Sequence, residues 1–475
     1  DNPVSLYTGT PEITVPIYEI KSNKLSLPIS ISYHASGNKV EDIASNVGLG
    51  WTLNAGGVIT RTVYGLPDDV NNGFLHSSNT VPADMNLPPA TAPTSTLRWV
   101  AINAMDAQPD IFYFNFGKYS GKFIFDKAGN CYSFPHQKFR IKPAIGPLAT
   151  DNSWEITTED GITYTFAARE TSRVQSVCAV NGNIPASSYL NQTYVSSWYL
   201  TKIQAPHVDE KITFSYFSQV YEYDVRGSIS NFITQDNIQS NEPGWLHIYP
   251  NYRNFCDTHI NITSGLILSS IEFRGGTINF TRKSRSDLDG AYRITEIILN
   301  NVADDLVKKF ILGNDDYFDS GCGTSICKRL KLNSVIETGK DGSQLKPYLF
   351  EYDTEPLPAR NSYDTDHWGY YNKRNNTEPV PEFVDYDHAT PYAYLPGANK
   401  TPDLTGAKAG ILTKIIYPTG GSTVYEMECN EAYGEGSFFL ADSEKESHKF
   451  VKTSANIPVE YSLTEPGTTD LHIKF

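Results

Sequence analysis

From Leu25 to Tyr33 the chain alternates without a break: Leu25, Leu27, Ile29, Ile31 and Tyr33 take one parity, and Ser26, Pro28, Ser30 and Ser32 the other. Successive strand side chains point to opposite faces of a sheet, so this pattern specifies a strand with one face buried and one wet. Glu12 to Ile20 repeats it, with Ile13, Val15 and Ile17 on one face, and Lys21-Ser22-Asn23-Lys24 reads as the intervening turn. Pro16 and Pro28 lack an N–H and are expected at edges or where that group would face outward. Hairpin signals continue: Lys122 to Asp126 turns at Ala128-Gly129-Asn130, and Trp154 to Thr158 joins Ile162 to Phe166 through Glu159-Asp160-Gly161. Asp-Gly between alternating runs is a strong short-range hairpin signal.

From residue 199 a looser unit recurs, a Leu/Ile-led four-residue strand, a turn and a second strand carrying an aromatic. The copies are Leu200–Ile203 with Ile212–Tyr216, Leu268–Ile271 with Ile278–Phe280, Ile294–Ile297 with Phe310, Leu332–Val335 with Leu349–Tyr352, and Leu412–Ile415 with Val424–Met427. A lone hairpin cannot bury its apolar side, whereas stacked hairpins can. The fold expected is all-β: stacked hairpins in a long twisted or spiralling antiparallel sheet, with long loop insertions and little helix. The 30 Tyr and 23 Phe suit strands and the 34 Gly and 28 Pro suit turns. Four regions are expected. Residues 1–65 are a β lead-in; 66–198 are hairpins with a long polar, proline-containing loop over 66–98. Residues 199–429 hold the degenerate repeats, with insertions at about 217–262 and 353–408; 430–475 are a linker and the possible start of a β-sandwich-like module.

Val47-Gly48-Leu49-Gly50-Trp51-Thr52-Leu53 leads through Gly56-Gly57 into another apolar run, and glycines flanking a Trp suggest backbone packed against a large ring. Several stretches together resemble the N-terminal, pre-repeat region of secreted Rhs/YD-repeat proteins of Gram-negative bacteria. They are Val4 to Pro11, Leu27 to Tyr33, Val47 to Gly57, Asp366-His367-Trp368-Gly369-Tyr370-Tyr371-Asn372 and the copy at 410–428. The opening is also similar to the start of insecticidal toxin-complex B subunits. The resemblance implies a β ribbon that spirals into a shell enclosing a C-terminal toxin or presenting domains at the cell surface. Its partners would be other domains of the same polypeptide, the repeat shell and a toxin, or a surface glycan or protein. The address would be secreted or outer-membrane-associated. A regular Tyr-Asp pattern is missing here; Tyr352-Asp353 is the best match, so this stretch is expected to be the lead-in to the repeats. The chain opens at Asp1 without an initiator Met or a basic leader and is read as a piece of a longer one.

The net charge of −15, with no cationic run, argues against nucleic acid and anionic lipid as partners, and no apolar run is long enough to insert in a membrane. No hydrolase, zinc-protease, Walker or dinucleotide motif is present, so the chain is read as a non-catalytic scaffold with no cofactor, no metal and no catalytic residue. Weaker candidates remain. Asp287, Asp289, Asp315, Asp316 and Asp319 could hold Ca²⁺ or be solvated turn carboxylates. Trp368, Tyr370 and Tyr371 could stack on a sugar, making the chain a carbohydrate-binding module, or could pin an insertion to the sheet. A glycoside-active enzyme with two distant carboxylates is the third reading. Of six cysteines, Cys322 and Cys327 could form a local disulfide in an oxidising compartment; buried thiols are the alternative for all six.

Overall fold

The computed structural model describes residues 9–76, 106, 108–180, 189–225, 229–232, 252–387, 390–395, 397–428, 461–463 and 471–473. Strands dominate them, as the alternation requires. β1 (Ile13–Lys21), β2 (Ser26–Tyr33) and β3 (Trp51–Asn54) form a three-stranded antiparallel sheet. All the odd positions from Leu25 to Tyr33 are buried. In β1 the buried set runs Ile13, Val15, Ile17 and then Ile20, because a bulge between Pro16 and Tyr18 inserts one residue and flips the parity.

β4 (Gly57–Thr62), β5 (Ile111–Phe116), β6 (Tyr119–Phe125) and β7 (Cys131–Phe134) form a meander. β8 (Arg140–Lys142) and β9 (Trp154–Thr157) lead into the longest strands: β10 (Thr163–Val180), β11 (Tyr189–Gln204), β12 (Lys211–Val225) and, past the short β13 (Ile229–Phe232), β14 (Tyr252–Phe273). β10 pairs β11, β11 pairs β12, β12 pairs β14 and β14 returns to β10, closing a ring. β4 joins this ring along β11, Ser197 to Tyr199 facing Thr60 to Val58. The segment read as an insertion at about 217–262 is therefore strand at both ends, because the β12–β14 pairing continues as far as Val225 opposite Thr258.

The ribbon then grows one hairpin at a time: β15 (Gly276–Ser284), β16 (Tyr292–Asn301), β17 (Leu306–Gly313), and, beyond the small β18 (Asp316–Asp319) and β19 (Lys328–Lys331) pair, β20 (Ser334–Gly339) and β21 (Tyr348–Tyr352). β22 (Phe383–Asp387) and β23 (Thr390–Leu395) pair with each other; β24 (Leu412–Ile416) adds to β21 and β25 (Ser422–Val424) to β24. Each of the five repeated units is one antiparallel hairpin, for example Ile297 opposite Phe310 and Ile415 opposite Thr423. The one short α-helix described, α1 (Leu404–Ala407), is capped by Asp403, whose side chain accepts from the Gly406 N–H. Of the module expected after 430, β26 (Tyr461–Leu463) and β27 (Leu471–Ile473) are described, as an antiparallel pair; the rest lies outside the described residues. So does most of the loop read over 66–98; its first part, to His76, is a series of turns.

One hydrophobic core runs from β1 to β24. Part of it is aromatic: Phe112 and Trp154 each lie within 6.1 Å of both Phe123 and Trp198, centroid to centroid, and all four are at most 1% exposed.

Candidate functional site

The Gly-Leu-Gly-Trp segment is where the N-terminal sheet is fastened to the ribbon. Gly50 sits at φ +75°, and a Cβ there would lie 2.5 Å from the Tyr33 ring, so both the backbone and the space demand glycine. A Cβ on Gly48 would meet Leu332 at 3.0 Å, and one on Gly57 would meet Phe116 at 2.6 Å. Gly56 has ordinary room, with Phe214 at 3.5 Å. The close approach lets Trp51 fill the gap between Tyr33 and Phe350, at ring separations of 5.2 and 4.5 Å. Its Nε1–H donates to the Tyr352 hydroxyl at 2.8 Å, which donates onward to the Leu332 carbonyl. The Tyr33 hydroxyl accepts from the Leu412 N–H at 3.0 Å, and burial pushes its pKa up to about 12. Both phenols therefore stay neutral and act as fixed hydrogen-bonding posts.

A buried polar network extends this clasp. Arg285 grips Asp287 with two short bonds, Nε to Oδ1 at 2.7 Å and Nη2 to Oδ2 at 2.6 Å, and also donates to the Ala44 and Ser45 carbonyls. Asp287 Oδ2 accepts the Leu330 N–H at 2.9 Å. Arg329, with no exposed surface, donates to the Val40 and Pro358 carbonyls; burial lowers its pKa to about 10. Arg293 holds Asn314, whose amide donates to the Val47 and Ile294 carbonyls. Asn38 donates to the Gly410 carbonyl at 3.0 Å. Residues 38–51 are thereby tied to chain segments 240 to 372 positions away.

Asp287 is therefore half of a buried ion pair, which corrects its reading as a calcium ligand or solvated turn carboxylate: the Arg285 guanidinium fills the place of a cation. Asp289 and Asp315 are exposed, Asp316 pairs with Lys331 and Asn333, and Asp319 accepts from the Gly321 N–H. Among the described residues no group of three or more His, Cys, Asp or Glu side chains is placed to hold a metal. The aromatic trio separates too. The Tyr370 hydroxyl donates to the Ser36 carbonyl and Tyr371 packs against the small cluster of Ala44, Leu49, Leu330, Leu357 and Ala409, pinning the insertion, while Trp368 remains 58% exposed beside His367. Cys322 and Cys327 are joined by a disulfide with Cα atoms 5.9 Å apart. Cys131 is a free thiol whose pKa burial pushes up to about 12.

A second buried cluster escaped the sequence reading. Arg61, on β4, pairs with Asp110 at 2.6 Å and Asp69 at 2.8 Å. Asp68 and Asp110 exchange carboxylate and backbone N–H bonds at 3.0 Å, and Asp106 accepts the Leu66 N–H. Asp68 Oδ2 is buried with no partner among the described residues, and burial, then the charge of Asp110, pushes the Asp68 pKa up to about 7. The sequence signal was Asp68-Asp69 beside Pro67, but its partner lies 42 residues on. An open cleft of about 240 Å³ between the β1–β2 turn and the turns at Glu210 and Gly275 holds one carboxylate, Glu210.

No protein-family model and no curated protein matches the chain. Among solved structures it is similar to the Tc holotoxin pore of Photorhabdus luminescens, at TM-score 0.33 and 12% identity over 72% of this chain and 16% of that one. The chain thus spans about a sixth of that protein's length. Among the described residues no helix is long and apolar enough to cross a membrane.

Proposed function

We propose that this chain is a non-catalytic structural scaffold: the opening segment of a secreted or cell-surface Rhs/YD-repeat-type protein that starts or caps a β shell. The reading rests on one observation above all. Residues 33–51 are locked into the ribbon by Trp51, Tyr33, Arg285 and Arg329, and from there the sheet extends hairpin by hairpin to β25. Leaving such a buried polar group unpaired is costly, so the bonds of Arg285, Asp287, Asn314 and Arg329 specify one way for residues 33–51 to dock. Its partners would be the domains that follow in the same polypeptide, including a repeat shell and a toxin.

Limited trypsin digestion with mass mapping tests this. Residues 13–57 should stay associated with 276–424 after other segments are cut, as one block on a sizing column. Release of 13–57 as a separate soluble fragment would overturn the proposal.

A glycan-binding role is the second reading, and the exposure of Trp368 favours it. Binding on a glycan array that disappears in Trp368→Ala, at unchanged melting temperature, would establish it; a blank array would remove it.

A further inference from the structure

The long finger of β10 and β14 sets two of the remaining cysteines against each other. The two strands pair antiparallel through nine consecutive partners, from Ser172 opposite Ile262 to Val180 opposite Asn254, without a register shift, and Cys178 lies directly opposite Cys256. Directly opposed antiparallel residues share a face of the sheet, with Cα atoms about 4.5 or 5.5 Å apart according to the type of pair. Disulfides span Cα separations of roughly 4.4–6.8 Å, so either type of pair suits one. A slip of one residue would separate the two positions. The register is held at the base of the finger, where Ser172 and Ile262 are both buried.

We propose that Cys178 and Cys256 form a second, long-range disulfide that staples the finger across β10 and β14. Its formation removes two electrons and two protons from the two thiols. They pass by thiol–disulfide exchange to a disulfide-bearing oxidant such as glutathione disulfide, which leaves as two thiols. The short Cys322–Cys327 bridge closes only a turn, whereas this one closes the chain from 178 to 256 into a loop and fixes the register of its two longest strands. Such a bridge would place the mature chain in an oxidising compartment on grounds independent of the scaffold reading.

The test is a tryptic map of the intact protein, folded in a glutathione redox buffer, alkylated and digested without reduction. The expected product is peptide Val174–Lys202 linked to Asn254–Arg274, lost on reduction. Cys178→Ser should release Cys256 as an alkylatable thiol while leaving the Cys322–Cys327 link in place. Both peptides recovered singly with alkylated cysteines, or either one linked to Cys429, would overturn the proposal.

Discussion

Asp68 offers the sharpest test of the electrostatics of this fold. Its side chain is fully buried, and among the described residues Oδ2 has no hydrogen-bond partner. The Arg61 guanidinium already serves Asp110 and Asp69. Burial is the largest cause of the raised pKa and repulsion by Asp110 the second; the Asp110 N–H and Arg61 oppose them. A carboxyl that titrates near 7 when folded and near 3.8 when unfolded binds its proton more tightly in the folded state. Its contribution to stability is therefore complete below pH 3.8 and lost as pH rises through 7. Integrating the linkage between pH 5 and pH 8 gives a loss of about 2.6 kcal/mol from this one group. Spread over the unfolding entropy of a body of roughly 400 residues, that is about 3 °C in melting temperature. Asp110 is also pushed upward, by burial, so the wild-type slope carries more than one group. Asp68→Asn isolates the term: the amide mimics the protonated carboxyl and keeps an oxygen for the Asp110 N–H. Melting curves of both proteins from pH 5 to pH 8 should diverge, the wild type falling about 3 °C more than the variant. Parallel curves, or a steeper fall in Asp68→Asn, would refute the assignment of a neutral Asp68.

The clasp gives three further expectations, all read by chemical denaturation. Trp51→Ala should cost about 3–5 kcal/mol, because a ring 1% exposed and wedged between Tyr33 and Phe350 leaves a cavity; a loss under about 1 kcal/mol would mean that the segment is not anchored there. Gly50→Ala should destabilise by more than about 1 kcal/mol through its left-handed backbone and the Tyr33 contact, and by more than the control Gly420→Ala, which shares the positive φ but meets nothing within 4 Å. Asp287→Ala should cost about 3–5 kcal/mol by leaving Arg285 buried without its counter-charge, and Asp287→Ala combined with Arg285→Met should recover part of that loss; no recovery would show that packing rather than charge dominates the site.

Much of the architecture was legible because it follows from one local rule. Period-two alternation located β1, β2 and the five repeated hairpins, and the glycines around Trp51 announced a close approach before any partner was known. What stayed hidden was set by residues far apart in the chain. The parity flip in β1 comes from a bulge whose partner strand starts at Ser26, and nothing within Glu12–Ile20 marks it. Lys328-Arg329-Leu330-Lys331 reads as an ordinary solvated strand with one apolar residue, yet both Arg329 and Leu330 have no exposed surface. Alternation cannot bury two neighbours from one side; here they are covered from opposite sides, Leu330 by Leu49 and Leu357, and Arg329 by the carbonyls of Val40 and Pro358. Tyr370 and Trp368 illustrate the same limit. Two residues apart and alike in type, they differ because the Ser36 carbonyl is within reach of one and not of the other. Local pattern assigns a residue to a face; whether that face is covered depends on which loop returns to it. In this chain the returning loops are fixed by buried polar bonds, so those bonds decide which exposed groups remain for a partner to use.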